Sequence, residues 1–217
     1  MRWLLICIHI LLVALLLLSV KEAEACSCVP AHLQTKYCLS DFVAVIKVKE
    51  VKRGNDTSPT LYMVKVKRVF KNSQGTNLVL EDEIYTPVSS AACGVYLELN
   101  KNYVVGGRWE FGRPFISLCG LVMPWETTTK RQRKGLRQLY KMGCQCQIAY
   151  TSFNRKGSVL EKSNGKKCLW ESEPGPLICQ EQHGVCLKGL DGCSWFPSAS
   201  YKTCIKEHKL NREQRRS

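Results

Sequence analysis

Hydrophobic and polar positions divide the chain into two parts of different character. Residues 41–118 contain short, β-branched runs in which apolar and polar positions partly alternate, a pattern typical of strands with one buried face. Thr127 or Thr128 is placed to begin a helix that runs to about Tyr140 and ends at Gly143. Several short strands with one helix suit a small closed β-barrel such as the OB-fold. The predicted strands cover residues 41–52, 61–70, 78–85, 102–110 and 114–118.

The periodic pattern weakens after Cys146. Five cysteines remain in this part, while glycines and prolines interrupt the apolar runs. This composition favours a second, smaller, disulfide-rich domain made mostly of loops, so the predicted fold class is mainly β with helices. The interrupting residues are Gly157, Gly165, Pro174-Gly175-Pro176, Gly184, Gly189 and Gly192.

The first 25 residues have the pattern of a secretory signal peptide. Arg2 precedes a leucine-rich apolar run, and Ala23-Glu24-Ala25 is a small-x-small triplet of the kind that signal peptidase accepts. The alternative, a membrane anchor, is disfavoured because the run is short and a cysteine-rich segment follows at once. We therefore expect a mature chain that begins at Cys26, has no membrane span and is secreted to the extracellular space or matrix.

The cysteine content fits an exported protein. The chain has 13 cysteines, and Cys7 lies in the predicted signal, which leaves an even set for the mature protein. An even set in an exported chain predicts disulfides rather than free thiols. The close pairs Cys26-Ser27-Cys28 and Cys144-Gln145-Cys146 do not have the C-x-x-C spacing of a zinc ribbon. Spacing alone leaves the pairing of the cysteines open.

The net charge of +14 predicts anionic partners. Outside the cell these are more often sulfated glycosaminoglycans than nucleic acid, and no motif of a nucleic-acid-binding module is present. The densest basic run is Lys130-Arg131-Gln132-Arg133-Lys134, followed by Arg137 and Lys141. Two interpretations stay open for this run, a solvated helix face and a glycosaminoglycan-binding patch.

One glycosylation sequon is present, Asn55-Asp56-Thr57. It lies in residues 53–59, a stretch rich in turn-forming residues between the first two predicted strands. An exposed loop in a secreted protein is the usual place for an N-linked glycan, so Asn55 is a predicted glycosylation site.

No pattern of catalytic residues is recognisable. His32, His183 and His208 remain after the predicted cleavage, and none has the spacing of a zinc-ligand motif. The acidic run at residues 81–83 is expected in a loop or on a solvent-facing edge, because adjacent strand residues point to opposite faces. We therefore expect neither an enzymatic activity nor a cofactor of the protein's own.

Several motifs, in order and directly after the predicted cleavage site, together resemble the tissue inhibitors of metalloproteinases. The similarity extends from Cys26 to about Trp195, which is nearly the whole mature chain. A C-x-C start is a weak signal alone, but the complete set is specific. The motifs are Cys26-Ser27-Cys28-Val29-Pro30-Ala31-His32 with Cys38, Tyr85 to Val95, Pro124-Trp125-Glu126 after Cys119, Met142-Gly143-Cys144-Gln145-Cys146, Cys168-Leu169-Trp170 and Cys193-Ser194-Trp195.

The resemblance implies an inhibitory OB-fold domain over residues 26–144 and a smaller C-terminal domain with a basic tail over residues 145–217. The chain departs from the vertebrate pattern because a short-range cysteine pair is missing between residues 150 and 167, which leaves Cys179 and Cys204 to pair with each other. The implied disulfides are Cys26–Cys93, Cys28–Cys119, Cys38–Cys144, Cys146–Cys193, Cys168–Cys186 and Cys179–Cys204.

The same resemblance implies how the protein works. The α-amine and carbonyl oxygen of Cys26 would bind the catalytic zinc of a target protease, and Ser27 would enter the specificity pocket beside it. The further contacts expected with the protease are Cys28, Val29 and Pro30, followed by Ser90, Ala91 and Ala92. The expected partners are zinc metalloproteinases of the matrix type, with the ADAM type as a further candidate, each bound by one inhibitor monomer.

Two other functions are compatible with parts of the sequence. A related OB-fold module of the netrin type would bind matrix or glycosaminoglycan without inhibiting a protease, and the positive charge is its main support. A cationic, disulfide-rich defence or growth-factor-like protein would act on membranes or receptors. The barrel-like strands and the chain length disfavour this last alternative.

Overall fold

The computed structural model describes Trp3 and residues 26–55, 58–73 and 79–215. The predicted signal peptide, residues 1–25, therefore lies outside the described residues except for Trp3. Within the described part of the chain, no helix is both long enough and apolar enough to cross a membrane. The fold is mostly β, with a closed barrel, several helices and six disulfides, which confirms the predicted fold class.

Five strands close the barrel. Their neighbours follow the order β1-β2-β3-β5-β4, and β4 pairs again with β1. The contact between β3 and β5 is parallel, the other pairings are antiparallel, and β6 extends the sheet beyond β4. A five-stranded barrel of this kind is the OB-fold. The strands are β1 (Phe42–Lys52), β2 (Thr60–Asn72), β3 (Glu83–Thr86), β4 (Asn102–Glu110), β5 (Arg113–Phe115) and β6 (Leu121–Pro124).

The first part of β1, residues 42–46, is buried on both faces, which explains its continuous apolar sequence. Phe42, Ala44 and Ile46 point into the barrel core, whereas Val43 and Val45 belong to a second apolar cluster outside the barrel. That second cluster also contains Leu136 and Val185, so it connects the barrel to the C-terminal part.

The helix predicted after the barrel is present, but it begins later than predicted. Thr127 lies in a 3₁₀ turn (Trp125–Thr127), and Thr129 caps the helix. The Thr129 hydroxyl accepts a hydrogen bond from the Gln132 amide, and the Gln132 side chain accepts one from the Thr129 amide, a capping box. The helical segment consists of α2 (Lys130–Lys134), a π-helical turn (Gly135–Leu139) and α3 (Tyr140–Gly143).

Four elements in and next to the barrel differ from the prediction. The strand expected over residues 78–85 is shorter, because residues 79–82 are irregular while Leu80 still packs into the core. β5 ends at Phe115 rather than at residue 118. The short strand β6 and a helix before the barrel, α1 (Leu33–Leu39), were not predicted.

The C-terminal part contains more regular structure than the predicted loops. β7 (Gln147–Thr151) pairs in parallel with β8 (Lys167–Glu171), and β9 (Cys186–Gly189) pairs antiparallel with β10 (Gly192–Trp195). The glycines were interpreted as loop signals, but Gly165 and Gly192 have positive φ and form tight turns at strand ends. The helices are α4 (Lys156–Glu161), α5 (Leu177–His183) and α6 (Ala199–Gln214).

Candidate functional site

The residues that follow the predicted cleavage site form an exposed, extended segment. No helix or strand includes residues 26–31. Ser27, Cys28 and Pro30 are exposed and Val29 is 86% exposed, whereas Cys26 and Ala31 are half-buried. The segment is therefore exposed from Ser27 to Pro30 and becomes fully buried only from His32 onward.

Two disulfides attach this segment to the barrel. Cys26 is bonded to Cys93, and Cys28 is bonded to Cys119. The two bridges touch, because the Sγ atom of Cys26 lies 3.8 Å from that of Cys119. Cys26, Cys93 and Cys119 are close enough to surround a metal ion, but each sulfur is already in a disulfide and has no thiolate to offer.

The loop that carries Cys93 is a compact turn. The Ser89 carbonyl accepts hydrogen bonds from the amides of Ala92 (3.1 Å) and Gly94 (2.8 Å), and the Ser90 carbonyl accepts one from the Cys93 amide (3.0 Å). Cys93 has a φ of 63°, an uncommon value for a residue with a side chain. A Cβ atom at Gly94 would overlap the Pro87 carbonyl, so the turn requires glycine there.

The Cys26–Cys93 bridge joins the two segments that contain the predicted contact residues. Ser90, Ala91 and Ala92 are exposed on the turn, directly before the cysteine that holds Cys26. The Leu118 amide donates to the Cys93 carbonyl (2.9 Å), which fixes the turn to the chain that leads to Cys119. We call residues 26–30 together with residues 89–93 the N-terminal ridge.

The remaining four bridges lie away from the ridge. Cys38–Cys144 connects the end of α1 to the end of α3, and the other three lie within the C-terminal part. Five of the six pairs in the structure are those that the resemblance implied, and the sixth, Cys179–Cys204, joins the two cysteines that were left over.

His32 and Gln34 connect the segment behind the ridge to the C-terminal part. The His32 Nδ1 atom accepts from the Gln34 amide (3.1 Å), and Nε2 lies 3.0 Å from the Gln180 carbonyl. The ring packs against Trp170 and Trp195 at centroid distances of 5.6 and 5.3 Å. Burial lowers the pKa of His32 to about 4, so the ring is neutral.

Both polar atoms of the Gln34 side-chain amide form hydrogen bonds at the same junction. Its Nε2 atom donates to the carbonyls of Gly143 and Cys186, and its Oε1 atom accepts from the Cys186 amide. The sequence marked His32 only as a histidine without the spacing of a zinc-ligand motif, and it did not single out Gln34. The only signal was the presence of polar residues in a short helix whose buried face a single sequence does not reveal.

A cavity of about 420 Å³ adjoins the ridge on the side of Cys119. It contains two cationic side chains, Lys36 and Arg108, and one carboxylate, Glu110. A second cavity of about 510 Å³ lies between the β1–β2 turn and the Ser89–Gly94 turn. Ala31 and Cys119 line the first cavity and Ser89 and Ser90 line the second, so both cavities adjoin the ridge.

The predicted glycosylation site lies on the β1–β2 turn. Asn55 is exposed, and its backbone exchanges hydrogen bonds with Ser58 across the turn at 3.0 and 3.1 Å. Asp56 and Thr57 lie outside the described residues.

The basic run of the helical segment has two kinds of residue. Arg131 lies over the Phe196 ring, and Arg133 lies over the Trp125 ring at 4.5 Å and donates to the Trp125 carbonyl. These two arginines stabilise the fold. The exposed members of the run are Lys130, Lys134, Arg137 and Lys141.

Comparison with known proteins identifies the family that these features define. A family model described as tissue inhibitor of metalloproteinase matches residues 24–195. The chain is 35% identical over 208 residues to metalloproteinase inhibitor 2 of Canis lupus familiaris, covering 88% of this chain and 90% of the relative. It is 34% identical over 215 residues to metalloproteinase inhibitor 2 of Homo sapiens, covering 92% of each. It is 32% identical over 198 residues to metalloproteinase inhibitor 3 of Scyliorhinus torazame, covering 88% of this chain and 90% of the relative. The chain therefore belongs to the tissue inhibitor of metalloproteinase family.

Proposed function

We propose that the mature chain is a secreted inhibitor of zinc metalloproteinases that binds the catalytic zinc of its target through Cys26. The observation that carries the proposal is the attachment of an exposed N-terminal segment by two adjacent disulfides, at the residue where signal cleavage would create a free α-amine. The names of the relatives support the inhibitory role.

The chemistry of a terminal residue suits this task. A catalytic zinc keeps one coordination position for water. The α-amine and carbonyl oxygen of one residue can close a five-membered chelate ring on the metal and displace that water. The amine must be unprotonated, and its reference pKa of about 7.7–8.0 makes this inexpensive near neutral pH. The protein needs no metal of its own, because the zinc belongs to the protease.

The rest of the ridge would occupy the substrate groove of the protease. Ser27 is exposed between the two bridged cysteines, and its small side chain would enter the specificity pocket of many targets. Val29 and Pro30 continue the segment, while Ser90, Ala91 and Ala92 supply the neighbouring contact. Both parts are held in place before binding, which lowers the entropy lost on complex formation.

We assign the inhibitory activity to residues 26–144, with one inhibitor bound to one protease. Every contact residue of the ridge and both of its disulfides lie within this range. The matrix metalloproteinases are the proposed targets, and the ADAM-type enzymes are a second group for the same test. Residues 145–217 contact the segment behind the ridge through His32 and Gln34.

A titration against cobalt-substituted matrix metalloproteinases would test the proposal. Cobalt(II) in place of zinc reports its ligands through its visible absorption spectrum. We expect the loss of protease activity to be complete when inhibitor and protease are present in equal amounts, and we expect a change in the cobalt spectrum. Inhibition without a spectral change would show that the ridge blocks the groove without binding the metal.

A second candidate function, binding to sulfated glycosaminoglycans, is favoured by a basic surface on β1 and β2. Lys47 pairs directly with Lys65 across the two strands, and Lys67 and Arg68 follow on β2. Like charges in opposite positions destabilise a sheet, so an anionic partner would relieve the repulsion. In the described part of the chain the one ion pair is Lys156–Glu171, so these charges are not neutralised by salt bridges.

Heparin chromatography would locate this function. We expect a variant with Lys47→Gln and Lys65→Gln to elute at clearly lower salt than the unmodified protein. The matched control is Lys134→Gln with Arg137→Gln, which removes the same charge from the helical segment. If the control variant eluted at lower salt than the Lys47 and Lys65 variant, the binding surface would lie on the helical segment instead. If the unmodified protein were not retained on heparin, glycosaminoglycan binding would be excluded.

We also propose an N-linked glycan on Asn55, since the exposed turn leaves the side chain accessible. The secreted protein should lose mass on treatment with a peptide N-glycosidase, and the Asn55→Gln variant should not. An unchanged mass of the secreted protein would exclude the glycan.

A further inference from the structure

The cavity beside Cys119 has features of a binding site for a small anion. Its volume of about 420 Å³ lies within the range of pockets that hold small organic ligands. Lys36 and Arg108 contribute two positive charges and Glu110 one negative charge, so the lining is cationic. A carboxylate-bearing ligand would therefore be favoured there.

The sulfur atoms at the rim of this cavity are close enough to exchange partners. Cys119 lines the cavity and is bonded to Cys28. The Sγ atoms of Cys26 and Cys28 lie 4.0 Å apart, and those of Cys93 and Cys119 lie 3.9 Å apart. Each bridge of the ridge is therefore in van der Waals contact with the other, and disulfides exchange when a thiolate attacks a neighbouring sulfur.

We propose that Cys119 is a thiol–disulfide exchange site for anionic low-molecular-weight thiols of the glutathione class, and that the exchange passes from Cys119 to Cys26. The carboxylates of the thiol would pair with Lys36 and Arg108, which brings its sulfur to the rim of the cavity. The consequence for inhibition rests on the proposed function, but the exchange itself does not.

The reaction consists of three balanced steps. The incoming thiolate, formed by loss of its proton to solvent, attacks the Cys119 sulfur and forms a mixed disulfide, and Cys28 leaves as a thiolate. The Cys28 thiolate attacks Cys26, which forms Cys26–Cys28 and releases Cys93 as a thiolate. The Cys93 thiolate attacks the mixed disulfide at Cys119, which forms Cys93–Cys119 and releases the small thiol. No net oxidation or reduction occurs, so the thiol acts as a catalyst.

The product has lost the attachment of the N-terminus. Cys26 and Cys28 are bonded to each other, while Cys93 and Cys119 hold only the barrel. Residues 26–30 are then connected to the barrel through the chain alone, and the ridge no longer exists as one rigid surface. An inhibitor that depends on this ridge would lose its activity without losing its barrel.

Disulfide mapping by mass spectrometry tests the proposal. The full secreted protein is treated with reduced glutathione, trapped with a thiol-alkylating reagent at intervals and digested without reduction. We expect glutathione on Cys119 with Cys28 alkylated at early times, and Cys26–Cys28 with Cys93–Cys119 at later times. Glutathione found on Cys28 instead, or on Cys119 while Cys26–Cys93 stays intact, would overturn the proposal.

Two comparisons distinguish binding of the thiol in the cavity from unselective reduction of the disulfides. Cysteamine is a cationic thiol, and we expect it to react at Cys119 about tenfold more slowly than glutathione at equal thiolate concentration, because the cavity repels it. The variant Arg108→Gln changes an exposed side chain and should reduce the rate with glutathione severalfold while leaving the rate with cysteamine unchanged or higher. The role of the cavity would be overturned if glutathione and cysteamine reacted at Cys119 at equal rates. It would also be overturned if glutathione reacted equally fast with the native protein and the Arg108→Gln variant.

The Cys179–Cys204 bridge serves as the internal reference, because it lies in the C-terminal part and Cys179 is buried. Loss of this bridge at the same rate as Cys28–Cys119 would mean unselective reduction and would also overturn the proposal. The mapping does not depend on a protease. If the native protein fails to inhibit any metalloproteinase, the proposed function is wrong while the exchange can still be observed.

Discussion

The barrel and the C-terminal part are stabilised in different ways. The barrel core contains large aliphatic and aromatic side chains that are fully buried, such as Phe42, Ile46 and Ile84. The separate apolar cluster of the C-terminal part consists of three buried cysteines, Cys146, Cys168 and Cys186, with a few partly buried neighbours. Hydrophobic burial therefore holds the barrel, whereas disulfides hold the C-terminal part.

The difference shows what the disulfides do in each region. In the C-terminal part they replace a core that the short chain cannot build. At the ridge the barrel is already stable, and the two bridges position an exposed segment instead. The same covalent bond therefore serves stability in one region and geometry in the other.

The largest effect should follow from a cavity in the barrel core. Ile46→Ala removes a fully buried side chain and should lower the free energy of unfolding by about 4 kcal/mol. Ile148→Ala in the C-terminal part removes a partly buried side chain and should cost about 1 kcal/mol. Chemical denaturation with the disulfides intact measures both, and equal losses would contradict the difference between the two regions.

The junction between the regions should depend on pH. The pKa of His32 is lowered to about 4 in the folded protein, while its unfolded value is near 6.5. Below pH 6.5 the unfolded chain binds a proton that the folded chain does not, so stability is complete above pH 6.5 and falls as the pH approaches 4. The expected loss is about 3 kcal/mol. His32→Gln should be less stable at pH 7 and should lack this part of the pH dependence. An unchanged pH dependence in the variant would show that His32 does not titrate as described.

Removal of a disulfide from the N-terminal ridge should weaken inhibition more than it lowers the stability of the protein. Replacing both Cys28 and Cys119 by serine should weaken inhibition about 100-fold, equal to roughly 3 kcal/mol, because the segment must then be ordered on binding. The matched control replaces both Cys146 and Cys193, and we expect it to lower stability while leaving the inhibition constant of the folded protein within a few-fold. The reverse pattern would contradict the roles assigned to the two sets of bridges.

The smallest effect is expected at the helix cap. Thr129→Ala removes the hydroxyl that accepts from the Gln132 amide and donates to the Gln182 carbonyl, which should cost about 1 kcal/mol of unfolding free energy and leave inhibition unchanged. Thr127→Ala is the control, because Thr127 precedes the cap and its hydroxyl donates only to the Pro124 carbonyl. Equal losses in the two variants would mean that the cap is not at Thr129.

The sequence predicted the barrel more accurately than the C-terminal part, for physical reasons. The strands β1, β2 and β4 are long and carry their own apolar pattern, so a single sequence reveals them. The strands β7 to β10 are short, and the disulfides Cys146–Cys193 and Cys168–Cys186 hold them together. Their positions depend on contacts between distant residues that no local pattern records.

The sequence likewise predicted only part of the candidate site. The motifs around Cys26 and Cys93 pointed to the ridge through their resemblance to a family, whereas cysteine spacing alone left the pairing open. The roles of His32 and Gln34 could not be predicted, because each depends on partners about 150 positions away in the sequence: His32 contacts Gln180 and Gln34 contacts Cys186, at separations of 148 and 152.

The central claim is that a free α-amine at Cys26 binds the zinc of the target. The most direct measurement compares the native secreted protein with a variant that carries one additional alanine before Cys26, both titrated against the same active matrix metalloproteinases. N-terminal sequencing confirms the first residue of each protein. We predict stoichiometric inhibition by the native protein and a loss of at least about 1,000-fold in the extended variant, equal to roughly 4 kcal/mol. Equal inhibition by both proteins would contradict the claim, because the extended chain has no α-amine at Cys26.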